Sequence, residues 1–154
     1  MPAAFPGKER GQWSAPPGSL VYVGNSMHPT FKAPEIIYIE PYGDRKVQRG
    51  DVVVFNQPGT AKSITHRVIA VSLAGILTRG DNNLTPDPWT LTKAGLTGRV
   101  VFARRDRRYR RVLNGLPGAA FASAWLAVRW TTFLCRHVPV AVRRKASRLA
   151  DRWR

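Results

Sequence analysis

Acidic side chains are scarce in this sequence: 9 Asp and Glu stand against 25 Lys and Arg, a formal net charge of +16 over 154 residues. Such an excess implies attraction to something acidic, either phospholipid headgroups or nucleic-acid phosphates, and charge alone does not choose between them. Cysteine is scarcer still. The single Cys135 excludes an intrachain disulfide framework, and with three histidines in the chain neither a structural zinc site nor any other metal or cofactor is expected. Cys135 lies in an apolar run and reads as a packed thiol. Long apolar runs are missing too. Met1 to Gly18 holds Pro, Gly and two cations but no apolar core for a cleavable signal sequence, so secretion by that route is not expected.

What remains is enough for one domain with a hydrophobic core and an appendage. Residues 1–18 lack periodicity and read as a flexible arm. Order begins at Ser19 to Gly24, a β-branched and aromatic run that ends in glycine. Glu35 to Glu40 is a second short β-rich run, and the Arg49-Gly50-Asp51 turn leads into Val52 to Phe55, apolar throughout as a strand buried on both faces would be. Ile64 to Val71 and Ile76 to Thr78 form a hairpin-like pair, Leu84 to Leu96 an ordered loop, and Gly98 to Ala103 another strand. About six short strands with no helix before residue 112 predict a mainly β domain over 19–105, a sandwich or a partly open barrel.

Composition changes after that. Arg104, Arg105, Arg107, Arg108, Arg110 and Arg111 crowd together, and Val112 to Val128 is uncharged and mostly apolar. Residues 106–154 are therefore expected to form a basic, amphipathic, helical C-terminal segment. Its uncharged part falls short of the ~20 residues of a spanning helix unless Arg129 snorkels. Arg129, Thr132 and Arg136 recur at helical spacing, which predicts a polar stripe suited to the membrane interface. Packing of the helix against the β domain is an equal alternative, and the Arg143 to Arg154 stretch adds a headgroup-seeking tail.

A catalytic serine needs a base within reach and a constrained turn to hold it. Ser26 follows Gly24-Asn25 at a strand end and precedes Met27-His28-Pro29-Thr30, where proline restricts His28. Taken alone it reads as an ordinary turn serine. His66 lies in an apolar strand, where a neutral imidazole can accept a proton near pH 7, although a lone strand histidine is more often structural. Asp81 and Asp87 flank the next loop, and either can orient an imidazole or cap its own turn.

Their order carries more than any one of them. Ser26-Met27-His28-Pro29-Thr30, then Arg49 to Phe55, then Thr65-His66-Arg67-Val68-Ile69-Ala70, then Arg79-Gly80-Asp81-Asn82-Asn83 resembles the successive boxes of type I signal peptidases across residues 20–103. Bacterial members carry lysine where this chain has His66, so the resemblance is to the archaeal and endoplasmic-reticulum branch, which pairs serine with histidine. It implies a signal-peptidase-like β domain, a fold shared with LexA-like self-cleaving repressors. It further implies a serine endopeptidase with Ser26 as nucleophile, His66 as general base, Asp87 as third member and Asp81 in support. Lys62 falls four residues too early to imitate the bacterial base.

Many bacterial members have an oxyanion-binding serine where this chain has Gly24. Backbone N–H groups around Gly24, Asn25, Ser26 and Met27, with the Asn25 side chain, are expected to take that part. The family also implies a preprotein substrate bound as an extended strand, with small side chains at the first and third positions before the cleaved bond. Its members usually carry an N-terminal membrane anchor. None is expected before Ser19, and the C-terminal segment is expected to replace it, associating the protein with an anionic membrane surface. Two other readings stand beside this one: a maturation peptidase dedicated to one partner, and a non-catalytic β module that binds nucleic acid. The second is disfavoured because no stacking platform is evident and most of the arginine excess lies outside the β domain.

Overall fold

In the computed structural model, residues 18–137 are described; the N-terminal arm through residue 17 and the basic tail beyond residue 137 lie outside them. The chain runs β1 (Ser19–Tyr22), β2 (Glu35–Glu40), β3 (Val52–Asn56), β4 (Ser63–Ser72), β5 (Gly75–Arg79), β6 (Thr90–Leu91), β7 (Leu96–Arg105), β8 (Arg108–Arg111) and α1 (Gly115–His137). The strands form one antiparallel sheet in the order β1-β2-β7-β3-β4-β5-β6, with β8 added to β7. Register shifts at Tyr38/Ile39, Val54/Phe55 and Val68/Ala70 bend the ladders, so the sheet curls. The fold is mainly β with a helical appendage.

β3 explains where the core sits. Its four apolar residues are fully buried, and the pleat divides them between two clusters. Val52 and Val54 join Tyr22, Met27, Phe31, Ile37 and Val100, whereas Val53 and Phe55 join Tyr42, Val68, Ile76 and Leu91. A strand with apolar packing on both faces reads as an unbroken apolar run, as Val52 to Phe55 does.

Two strands fall where none was expected. Thr90–Leu91 pairs with β5 inside the segment read as a loop, which also holds a 3-10 turn at Lys93–Gly95. β8, within the arginine run, pairs with the C-terminal half of β7, while β3 takes its N-terminal half.

Between β8 and α1, Asn114 ties three segments together. It accepts the Val52 N–H (2.8 Å) and donates to the carbonyls of Val100 (2.9 Å) and Val112 (3.1 Å). The Arg49-Gly50-Asp51 turn packs on the helix start. Gly50 has φ of +94°, and a Cβ there would lie 1.9 Å from the Gly115 carbonyl, so only glycine fits. Asp51 accepts N–H bonds from Gln48 (3.0 Å) and Gly115 (3.2 Å) and the Tyr42 hydroxyl (3.0 Å). Among the described residues no helix is long and apolar enough to cross a membrane.

Candidate active site

Ser26 occupies the turn after β1. The Asn25 carbonyl accepts the His28 N–H (3.1 Å) and the Met27 carbonyl accepts the Phe31 N–H (3.0 Å), which winds the segment tightly. Met27 anchors it in the core, fully buried, with its N–H on the Tyr22 hydroxyl at 2.9 Å. That bond removes Met27 from the candidate oxyanion donors. Gly24 and Asn25 are exposed beside it.

His66 faces this turn from β4, opposite Val53 in the ladder and edge-on to the Phe55 ring. Its Nε2 lies 3.1 Å from Ser26 Oγ and its Nδ1 lies 2.7 Å from Asp87 Oδ2. An ionised carboxylate only accepts, so Nδ1 carries the proton and Nε2 is left to accept from the serine hydroxyl. Asp87 is itself held: the Thr78 hydroxyl donates to Oδ2 (2.6 Å), and the Asp87 N–H donates to the Thr78 carbonyl (2.9 Å). Asp87, His66 and Thr78 are all buried, which shields these bonds from water.

Asp81 is not at the imidazole. It pairs with Arg67, the neighbour of His66 that the pleat turns to the other face of β4. Arg67 Nε and Nη2 reach the two Asp81 oxygens at 2.8 Å each, and both side chains are about 1% exposed. Nη1 donates to the carbonyls of Gly50 and Leu113 at 2.7 Å each, and Nη2 also reaches Thr30 Oγ1 at 3.1 Å. All five guanidinium N–H groups thus have acceptors, the condition for burying such a charge. Thr30 closes the web by donating to Asp81 Oδ2.

The loop after β5 reaches the serine turn through Gly80 and Asn82. A Cβ on Gly80 would lie 2.6 Å from the Ser26 carbonyl and 3.0 Å from His66 Nε2, so a side chain would push into the Ser26-His66 pair. The Asn82 N–H donates to the Ser26 carbonyl (2.7 Å), and its Nδ2 donates to the Asn25 carbonyl (3.2 Å). Burial lowers the affinity of the nearby Arg79 guanidinium for its proton, opposed by the charge of Asp81.

Sequence reasoning brought Ser26, His66 and Asp87 forward but passed over Arg67, Thr78 and Arg129. Arg129, expected on a polar stripe suited to the membrane interface, turns inward instead, donating to Asn82 Oδ1 at 2.6 Å. A signal for Thr78 existed in the hairpin register, which sets it opposite Val68 beside His66. Among the described residues no group of three or more His, Cys, Asp or Glu is gathered to hold a metal ion.

The family model described as "Signal peptidase, peptidase S26" matches residues 16–82, which contain Ser26, His66 and Asp81 but not Asp87. The signal peptidase complex catalytic subunit sec11 of Pyrenophora tritici-repentis is 27% identical over 118 residues, 73% of this chain and 65% of the relative. Its counterpart from Leptosphaeria maculans is 26% identical over 113 residues, 70% of this chain and 62% of the relative. The human subunit SEC11C is 32% identical over 73 residues, 44% of this chain and 38% of the relative. The chain therefore spans less than two thirds of the length of these relatives. The matched stretch and the related catalytic subunits agree, and over residues 16–82 the chain is similar to the S26 signal peptidases.

Proposed function

We propose that this protein is a serine endopeptidase that removes a leader or signal peptide from a preprotein. The observation that carries the proposal is the continuous line from Ser26 Oγ to His66 Nε2 (3.1 Å) and from Nδ1 to Asp87 (2.7 Å). Ser26 attacks the scissile carbonyl while His66 takes its proton, and the Asp87 carboxylate stabilises the imidazolium that forms. The proton then passes to the departing amine. A water deprotonated by His66 hydrolyses the acyl-enzyme. The developing oxyanion is met by the Ser26 N–H, with the exposed Gly24–Asn25 segment beside it.

β1 leads directly into Ser26 and has one paired neighbour, β2, among the described residues. An extended substrate adds to such an edge through main-chain bonds, so shallow pockets for small side chains suffice for selection. α1 supports attachment to an anionic membrane surface: Leu116, Val128, Trp130 and Leu134 are exposed along it, and the arginine run lies at its base.

Ser26→Ala and His66→Ala are each expected to reduce cleavage of a preprotein with small residues before the scissile bond by ~10³-fold or more. Either variant processing the preprotein at the parental rate overturns the proposal.

A further inference from the structure

Along α1, Gly115, Gly118, Ala122, Trp125 and Arg129 recur at intervals of three and four and form one stripe facing the sheet. The first three are small and buried, so the helix backbone approaches closely at its start. There it is fixed to the frame of the site, because the Leu113 carbonyl accepts from Arg67 and the Gly115 N–H donates to Asp51. The last two are large and reach further. Trp125 meets the ring of His28, two residues beyond the nucleophile, edge to face at 5.8 Å. Arg129 Nη1 donates to Asn82 Oδ1 at 2.6 Å.

Asn82 is the link between that guanidinium and the nucleophile. Its N–H holds the Ser26 carbonyl and its Nδ2 holds the Asn25 carbonyl. A primary amide can turn over and exchange its oxygen for its nitrogen. With Arg129 in place the turned amide would present N–H groups to a donor-only cation, so Arg129 selects the orientation in which Nδ2 grips the turn. The helix therefore grips the serine turn twice, through Trp125 on His28 and through Arg129 on Asn82.

We infer that Arg129 is a positioning residue for Ser26, acting through Asn82, and that α1 is part of the active site. The inference rests on the reading of Ser26 as the nucleophile. It concerns an element beyond residues 16–82, the stretch that the family model matches.

The test uses the full chain and two rates: acylation of Ser26 by a fluorophosphonate, and cleavage of a peptide with small residues before the scissile bond. Displacing a nucleophile by a fraction of an ångström to an ångström costs up to ~10²-fold. Arg129→Ala is expected to lower both the acylation rate and kcat by roughly 10–100-fold, with KM within about twofold and the pH profile unchanged in shape. Arg129→Lys, which keeps a donor, is expected to recover most of the loss. Asn82→Ala is expected to match Arg129→Ala, and the double variant to be no worse than either single one. Thermal unfolding of each variant accompanies the rates. If the parent is active and Arg129→Ala equals it, or if losses track unfolding and lysine restores nothing, the inference fails and the proposed function stands. If the parent neither acylates nor cleaves, the proposed function fails and takes the inference with it.

Discussion

Asp87 and Asp81 are both buried, but their partners differ in what they lose when the charge is removed. Asparagine at position 87 can still accept from Thr78, yet its amide can offer N–H groups to His66 Nδ1 and favour the tautomer whose Nε2 no longer accepts from Ser26. Asp87→Asn is expected to lower kcat on the order of 10³–10⁴-fold with little change in the denaturant midpoint. Asp81→Asn strips the counter-charge from a guanidinium that is 1% exposed, and is expected to cost about 3–5 kcal/mol in chemical denaturation. A stability loss at position 87 and a purely kinetic loss at position 81 would reverse these assignments. Ser26, His66 and Asp87 were legible because each lies in or beside a short ordered box. Arg67 and Thr78 were not, because their work depends on which residues the β4 pleat and the β4–β5 register set opposite one another.

At the scale of elements, alternation was the readable signal. Val52 to Phe55 declared a doubly buried strand, and the run after Arg111 declared a helix. β6 is too short to carry a period, and the cations of β8 disguise a strand as a charge run. The direction of Arg129 was equally hidden, since helical spacing gives a stripe without saying what faces it. The β2–β3 connection gives a further prediction. Burial, then the charge and hydrogen bond of Asp51, raise the Tyr42 phenol above its ordinary value near 10. A group raised in the folded state contributes stability that is full below its unfolded value and is lost as pH rises beyond it. Unfolding free energy should therefore fall from about pH 10 upward, and Tyr42→Phe should flatten that fall. The same variant should be less stable at pH 7 by about 1.5–3 kcal/mol, because Asp51 loses one donor. Denaturation curves at several pH values check both, and parallel pH slopes for parent and variant would refute the assignment.

Over the whole molecule, the arginine run leads into a helix that exposes apolar side chains along its length. Leu116, Val128 and Leu134 are 82%, 51% and 53% exposed on a helix with no charged residue before Arg129, whose own charge turns inward. The protein is expected to float with vesicles containing anionic lipid, and to be released as salt approaches 1 M, where the Debye length is ~3 Å. A Leu116→Glu/Val128→Glu variant should bind them more weakly while unfolding at the parental temperature. The β2–β7–β8 register also gathers Tyr38, Phe102 and Tyr109, with Arg104 and Arg111 over rings, an assembly invisible in the linear order. If the protein ignored vesicles and bound oligonucleotides with a steep salt dependence, the membrane reading would be overturned.

The Arg67 guanidinium spends its donors on chain segments that are remote in sequence: the Thr30 turn, the Gly50 turn, the Asp81 loop and the lead into α1. Lengthening any of these by a single residue would strand a buried donor, so none can drift in length independently of the others. Freedom to accept insertions is thereby confined to places this side chain does not touch, such as the Pro58–Gly59 turn and the exposed tip at Leu73.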